Sequence, residues 1–359
     1  MTQALNKPVS PLNDESGASS LRERAAEGLD RAVAALFDQQ HPDGYWCGEL
    51  EGDSILQSEY ILLKWIVEQE DDPRLPKIAN YLRRQQRDSD GAWIQYPGAK
   101  PDLSATVKAY FALKLMGDDL DAPHMVKARE LVLSLGGAEL CNTYSKFYLA
   151  ALGQMHYDSV PAVPPEMVLL PKWFYFHLDK VSAWSRTMIM PLSIVTTYRP
   201  VRQLPEPMGI MELYADHDYL HRPFVGFDKK LMSWKNLFLG ADKLLKVYHR
   251  VKLVNGFLRK PAVKRIEKWI LERAHREHAD GLGAIFPPMV YIIIAFRCLG
   301  YDDQDEHVRE AWDQLDRLMI EDGDEIRLQP CFSPVWDSGI ALYRSEERRV
   351  GKECATGCR

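Results

Sequence analysis

Two clusters of residues could do chemistry by type and spacing. His275 and His278 stand one helical turn apart beside Glu277 and Asp280, the beginning of a metal site. Spacing supplies no third ligand, so no metal is expected. Asp302-Asp303-Gln304-Asp305-Glu306 gathers carboxylates of the kind that hold magnesium. It follows Gly300-Tyr301 directly, where acids favour the start of the next helix, and the expectation is a solvated helix N-terminus. The chain carries no Gly-rich phosphate loop and no Gly-x-Ser-x-Gly elbow, so no cofactor is expected. Six Cys at 47, 141, 298, 331, 354 and 358 are scattered singly, without zinc spacing or the density of a disulfide scaffold, and suit a reducing cytoplasm. With 45 Lys and Arg against 51 Asp and Glu, the net charge of −6 argues against nucleic acid as a partner.

The elements that would position any site are helices. The 359 residues include 9 Trp, 16 Tyr and 12 Phe, too much aromatic area for a disordered chain and enough for a large core. Residues 1–22 read as a polar, disordered tail without the apolar stretch of a signal peptide. The longest apolar run, Met289 to Phe296, is too short to span a bilayer, so any membrane contact is expected from one side.

Internal repetition sets the architecture. A helix ending in Gln40-His41-Pro42-Asp43-Gly44-Tyr45-Trp46 is echoed about fifty residues later by Gln86, Asp90, Gly91 and Trp93. Each is followed by a polar link and an apolar helix, one containing Tyr60-Ile61-Leu62-Leu63-Lys64 and the other Tyr110-Phe111-Ala112-Leu113-Lys114. A weaker copy runs from Lys264 to Gly283 and then Met289 to Cys298, and helices are expected to stop at Gly117, Gly153 and Gly300. The fold class implied is all-α, an α/α toroid or barrel of helix-pair repeats that bury each other's apolar faces.

The two Gln…Gly-x-Trp segments resemble the QW repeats of the squalene and oxidosqualene cyclase family. Five further blocks, in the family's order, resemble bacterial squalene-hopene cyclases: Val163-Pro164-Pro165-Glu166, Ser182-Ala183-Trp184-Ser185-Arg186-Thr187, Pro191-Leu192-Ser193-Ile194-Val195, Asp280 through Pro287, and Ser333-Pro334-Val335-Trp336-Asp337. The similarity covers roughly Glu23 to Leu342. It implies an isomerase that folds squalene into hopene or hopanol without a cofactor, inside a lipophilic cavity between two α/α barrels. The family's chain is about twice as long, so residues 23–330 would be the N-terminal barrel and 331–343 the start of the second, with the C-terminal half missing.

The family's acid is the middle Asp of an Asp-x-Asp-Asp motif, and that motif is absent from this sequence. Protonating an isolated alkene needs a carboxylic acid made strong by fixed donors in a dry pocket, so no catalytic residue is assigned and the chain is expected to be inactive alone. The cations that follow are stabilised by aromatic faces, each worth about 2 kcal/mol when desolvated. By block matching, Trp184, Ile285, Phe286, Pro287 and Trp336 fall on cavity-facing positions. Gln40, Gly44 and Trp46, with Gln86, Gly91 and Trp93, fall on the structural clasp, in which the Gln bonds backbone at a neighbouring helix end while the indole packs over it.

Lys229 to Lys252 reads as a basic amphipathic helix, with Leu231, Trp234, Phe238, Leu245 and Tyr248 on one stripe and seven basic residues against Asp242. The resemblance turns that stripe toward anionic lipid headgroups and places the protein on the cytoplasmic face of a bacterial membrane, as a monotopic protein with squalene or a similar isoprenoid as ligand. The competing readings are a non-catalytic helical module that binds an isoprenoid or a partner protein, with a homodimer covering its half-interface, and a glycosidase of the same toroid class, for which the apolar blocks are unsuited. Residues 344–359, five basic and three acidic with Val350 the only large aliphatic, read as a non-native tail joined by a frameshift, an assembly junction or vector read-through.

Overall fold

The computed structural model describes residues 21–175, 177–220, 233–250, 255–274 and 281–344. Expectations for the N-terminal tail, for His275, Glu277, His278 and Asp280, and for residues 345–359 lie outside the described residues. The chain divides into two compact units, one of residues 49–332 and one that joins residues 1–48 to 333–359.

In the larger unit, α2 (Ser54–Ile66), α4 (Leu103–Leu115), α6 (Thr143–Ala151) and α10 (Phe286–Leu299) are buried along nearly their whole length. A helix that is apolar all round can only be an interior one. Outer helices cover this layer: α3 (Leu75–Arg84) packs on α2 and α4, α5 (Pro123–Ser134) on α4, and α11 (Glu306–Asp316) on α10. On the other side α7 (Ala183–Tyr198) packs against α10, and α9 (Lys260–Ala274) against α7. α8 (Trp234–Arg250) lies between α7 and α9 in sequence. The all-α expectation stands.

Local chemistry starts and stops these helices. Asp53, Asp102, Asn142, Ser182 and Asp305 cap α2, α4, α6, α7 and α11 by accepting a backbone N–H of the first turn. Asp305 is thus a helix start, while Asp303 pairs with Arg297. Gly300 closes α10 at φ 85°, a backbone state that costs a residue with a Cβ about 1 kcal/mol or more.

A short hairpin, β1 (Met319–Asp322) and β2 (Glu325–Leu328), turns at Gly323 and packs on α3. The repeat cadence does not foretell it. Its sequence signal is small: Ile326 and Leu328 alternate inward around an Asp-Gly-Asp turn.

The smaller unit holds α1 (Leu21–Asp38) and α12 (Pro334–Arg344). They are tied by the loop between Asp38 and Gly48: the Trp46 amide donates to Ser338 Oγ at 2.9 Å, and the Gly48 amide to Asp337 Oδ2 at 2.9 Å.

Candidate functional site

The two clasps share a design but differ in strength. The Trp93 indole donates to the Leu82 carbonyl at 2.8 Å, and the Trp46 indole to the Leu36 carbonyl at 2.7 Å, so each ring seals the C-terminal turn of the helix before it. Gln86 Nε2 donates to Gly91 and to His124, both at 2.9 Å, and so crosses to the first turn of α5. Gln40 Nε2 reaches only Gly44, at 2.8 Å, within its own exposed loop. The glycines differ in the same sense. Gly91 has φ 73° and a Cβ there would sit 2.6 Å from the Lys127 side chain and 3.0 Å from the Ala128 nitrogen, whereas a Cβ on Gly44 would meet open space.

Polar groups run through the interior of the larger unit. The Lys108 ammonium of α4 bonds Glu59 Oε1 of α2, with the two side chains 1% and 7% exposed. The fully buried Tyr148 of α6 donates its hydroxyl to Glu59 Oε2 at 3.0 Å. Burial pushes the Tyr148 phenol well up, and the neighbouring Glu59 charge adds to the shift. Beside this group the buried Cys141 thiol is pushed up to about 12 by burial, which leaves it a poor nucleophile at neutral pH. Sequence reading did not single out this cluster. A signal existed: a Glu and a Lys inside runs that are otherwise apolar all round must find each other or pay for a lone buried charge.

The residues matched to the cavity wall fall in three settings. Trp184 is 58% exposed in the first turn of α7. The segment 281–287 meets that turn: a Cβ on Gly283 (φ 76°) would lie 2.8 Å from Thr187 Oγ1. Ile285 and Pro287 are half-buried, but Phe286 is fully buried in the core, and its amide bonds the Pro330 carbonyl at 2.9 Å. Phe286 is therefore a packing residue here. Trp336 belongs to the smaller unit and is 72% exposed.

On α8, Asp242 and Lys246 form a pin. Asp242 Oδ1 accepts the Ala162 amide at 2.7 Å, and Lys246 Nζ bonds Asp242 and the Asp158 carbonyl. The pin points one face of the helix at residues 158–162 and leaves the opposite face in solvent. Leu237 and Leu244 are exposed on it, while Trp234 and Phe238 are exposed nearer the pin, and Phe238 borders the cavity that the pinned face closes. Leu245 is half-buried instead and lines a cavity of about 560 Å³ with Ala162, Ala241 and Cys141. Leu231 and the side chain of Tyr248 lie outside the described residues. No described helix is long and apolar enough to cross a membrane.

An interior layer of apolar helices with outer helices packed on it, α5 tied by the Gln86–Trp93 clasp, defines an all-α domain of helix pairs. The squalene-hopene cyclase N-terminal domain model matches residues 29–324, and the chain belongs to that family. It is similar to the squalene-hopene cyclases of Schizosaccharomyces japonicus (36% identity over 91% of this chain and 50% of the relative) and Bradyrhizobium diazoefficiens (38%, 87% and 47%). A similar match is the squalene-hopene cyclase of Zymomonas mobilis (36%, 88% and 48%). The chain thus spans about half the length of these curated relatives.

Proposed function

We propose that this chain supplies the N-terminal half of a squalene-cyclising enzyme: part of the wall of a lipophilic cavity, and a membrane contact, but not the proton donor. The family match over residues 29–324 carries this reading. Two observations support its parts. Trp184 stands exposed at the end of α7 that meets the segment 281–287, where an aromatic face is available to a cationic hydrocarbon. Trp234, Leu237, Phe238 and Leu244 of α8 are exposed, large apolar side chains suited to a membrane interface.

The proton is the missing ingredient. An acid able to protonate an alkene has to be dry and flanked by fixed donors, and the sequence holds no Asp-x-Asp-Asp. Glu59, the most deeply placed carboxylate described above, has both oxygens engaged, by Lys108 and by Tyr148. The purified chain incubated with squalene in detergent is therefore expected to yield no pentacyclic product by gas chromatography and mass spectrometry, and formation of hopene by the chain unaided would refute the reading. Trp234→Asp with Phe238→Asp is expected to abolish flotation with vesicles containing anionic lipid; retained flotation would remove α8 from the membrane contact.

A second reading, a non-catalytic binding module, is favoured by the smaller unit, where Val335, Trp336 and Ile340 of α12 are exposed. It assigns that strip to a partner or to a second copy of the chain. Sedimentation equilibrium of the wild type against Val335→Lys with Trp336→Lys separates the two: a dimer broken by the substitutions favours self-association, and a monomer in both counts against it.

A further inference from the structure

A cavity of about 420 Å³ opens between the turn Leu178–Lys180, α7 and α9, and neither the clasps, the cavity wall nor α8 makes use of it. Arg186 and Met190 enter it from one face of α7. Arg265, Lys268, Trp269 and Glu272 enter from one face of α9, where they follow helical spacing, and Arg273 joins them at the edge. Its floor is apolar, made by Val168, Leu178 and Met190.

The charge in this cavity is unbalanced. Glu272 is engaged by Lys268 at 3.9 Å and Arg273 at 3.5 Å. Asp179 is 61% exposed and lies 3.9 Å from Lys172. Arg186 bonds the backbone carbonyls of Leu178 and Val181 through Nη1, which orients its guanidinium without neutralising it. Neither Arg186 nor Arg265 has a carboxylate partner among the described residues. Arg273 is further held by its stack on the Trp269 ring, 4.4 Å from the centroid.

One buried donor points to the kind of ligand. His177 is 7% exposed and lines the same cavity. Its Nδ1 accepts the Asp179 amide at 3.0 Å, so Nε2 must carry the ring proton. The Asp179 carboxylate, 3.7 Å from Nδ1, is too far for a competing hydrogen bond. Two guanidinium groups, an ammonium and an imidazole N–H around one opening form a donor set for a tetrahedral oxyanion. The volume exceeds what a bare phosphate fills, and the apolar floor can take the group to which the phosphate is esterified.

We propose that this cavity is a binding site for a phosphoryl group carried on a larger, partly apolar molecule, with Arg186, Arg265, Lys268 and His177 as its donors. A membrane phospholipid headgroup and a soluble phosphate ester share this chemistry, and the test separates them. Glycerol 3-phosphate is titrated into the full chain by calorimetry, and binding to phosphatidylglycerol vesicles is measured beside it. Both are repeated with Arg265→Gln plus Lys268→Gln, two exposed positions whose change leaves the fold intact, and with Lys243→Gln on α8 as a control for general charge.

Saturable binding that the double variant weakens about tenfold or more, with Lys243→Gln near wild type, is the expected result. A response confined to the titration assigns the site to a soluble ester, and a response that includes the vesicles assigns it to a headgroup. Absence of saturable binding in both arms, or binding that the double variant leaves unchanged, overturns the proposal. The titration uses no membrane and no squalene, so its outcome is independent of the cyclase reading.

Discussion

Tyr60 and Tyr110 occupy equivalent places in two successive repeats, and each donates its hydroxyl to a carboxylate brought by a much later segment: Asp316 at 2.9 Å for Tyr60 and Glu212 at 3.0 Å for Tyr110. The lysine one turn on repeats the pattern. Lys64 pairs with Asp72 at 3.1 Å and sits over the Trp312 ring, and Lys114 pairs with Glu212 at 2.7 Å. The Tyr-x-x-x-Lys step on an interior helix thus pins that helix to distant parts of the chain. Tyr60→Phe and Tyr110→Phe are each expected to cost about 1.5–3 kcal/mol in denaturant unfolding, the range for a hydrogen bond to a charged group. Loss of less than about 0.5 kcal/mol in both would show the pins to be incidental.

The Glu59–Lys108 pair is expected to behave as a buried unit. Lys108→Met leaves the Glu59 carboxylate with only the Tyr148 hydroxyl and should cost about 3–5 kcal/mol. Adding Glu59→Leu removes the orphaned charge and should recover a large part of that loss, because a well-packed apolar pair can replace a buried ion pair. A double-mutant cycle by urea unfolding measures both. Simple additivity of the two losses would contradict the arrangement.

The clasps should be unequal. Gln86→Ala cuts two bonds, one of them to α5, and is expected to cost about 1–3 kcal/mol, whereas Gln40→Ala in its exposed loop should cost less than about 0.5. Gly91→Ala meets both a left-handed backbone and the α5 backbone, while Gly44→Ala meets only the former, so the first should lower the melting temperature more than the second. Equal effects would mean that packing against α5 does not matter.

Acid should destabilise the larger unit through depressed carboxylates. Burial alone would raise Asp118, but Arg83 and His124, with Nε2 at 2.7 Å, outweigh it and hold the carboxyl below its usual range. Asp72 is likewise held low by Arg74 and Lys64 against burial. A depressed carboxylate contributes stability that is fully present above its unfolded value, near 4, and is lost as pH falls through the folded one. Asp53 has the opposite sign. Burial raises it despite its bond to the Ile55 amide, so protonation favours the folded state there. With more groups depressed than raised, the melting temperature is expected to fall below about pH 4, and Asp118→Asn should flatten that limb. A profile unchanged by Asp118→Asn would show that its ion pairs do not stabilise the fold.

What the amino-acid sequence determined by itself was the part governed by short-range pattern. Helix periodicity, the caps at Asp53 and Asp102, the glycine stops and the paired Gln…Gly-x-Trp segments rest on neighbours within a turn or two, and these are sufficient to place the helices and to point to the family. Tertiary structure alone decided which partner each polar side chain met. Nothing in the local sequence links Tyr60 to Asp316, Lys108 to Glu59, Trp46 to Ser338, or Arg186 to the face of α9 that carries Arg265, because those pairings are set by which helix faces stack. It also decided that Phe286 is core while Trp184 is exposed, and that Leu245 is half-buried beside Ala162 and Cys141. The reason is physical: burial and pairing depend on distances across the packed chain, and a one-dimensional pattern encodes which faces are apolar without saying what each will face.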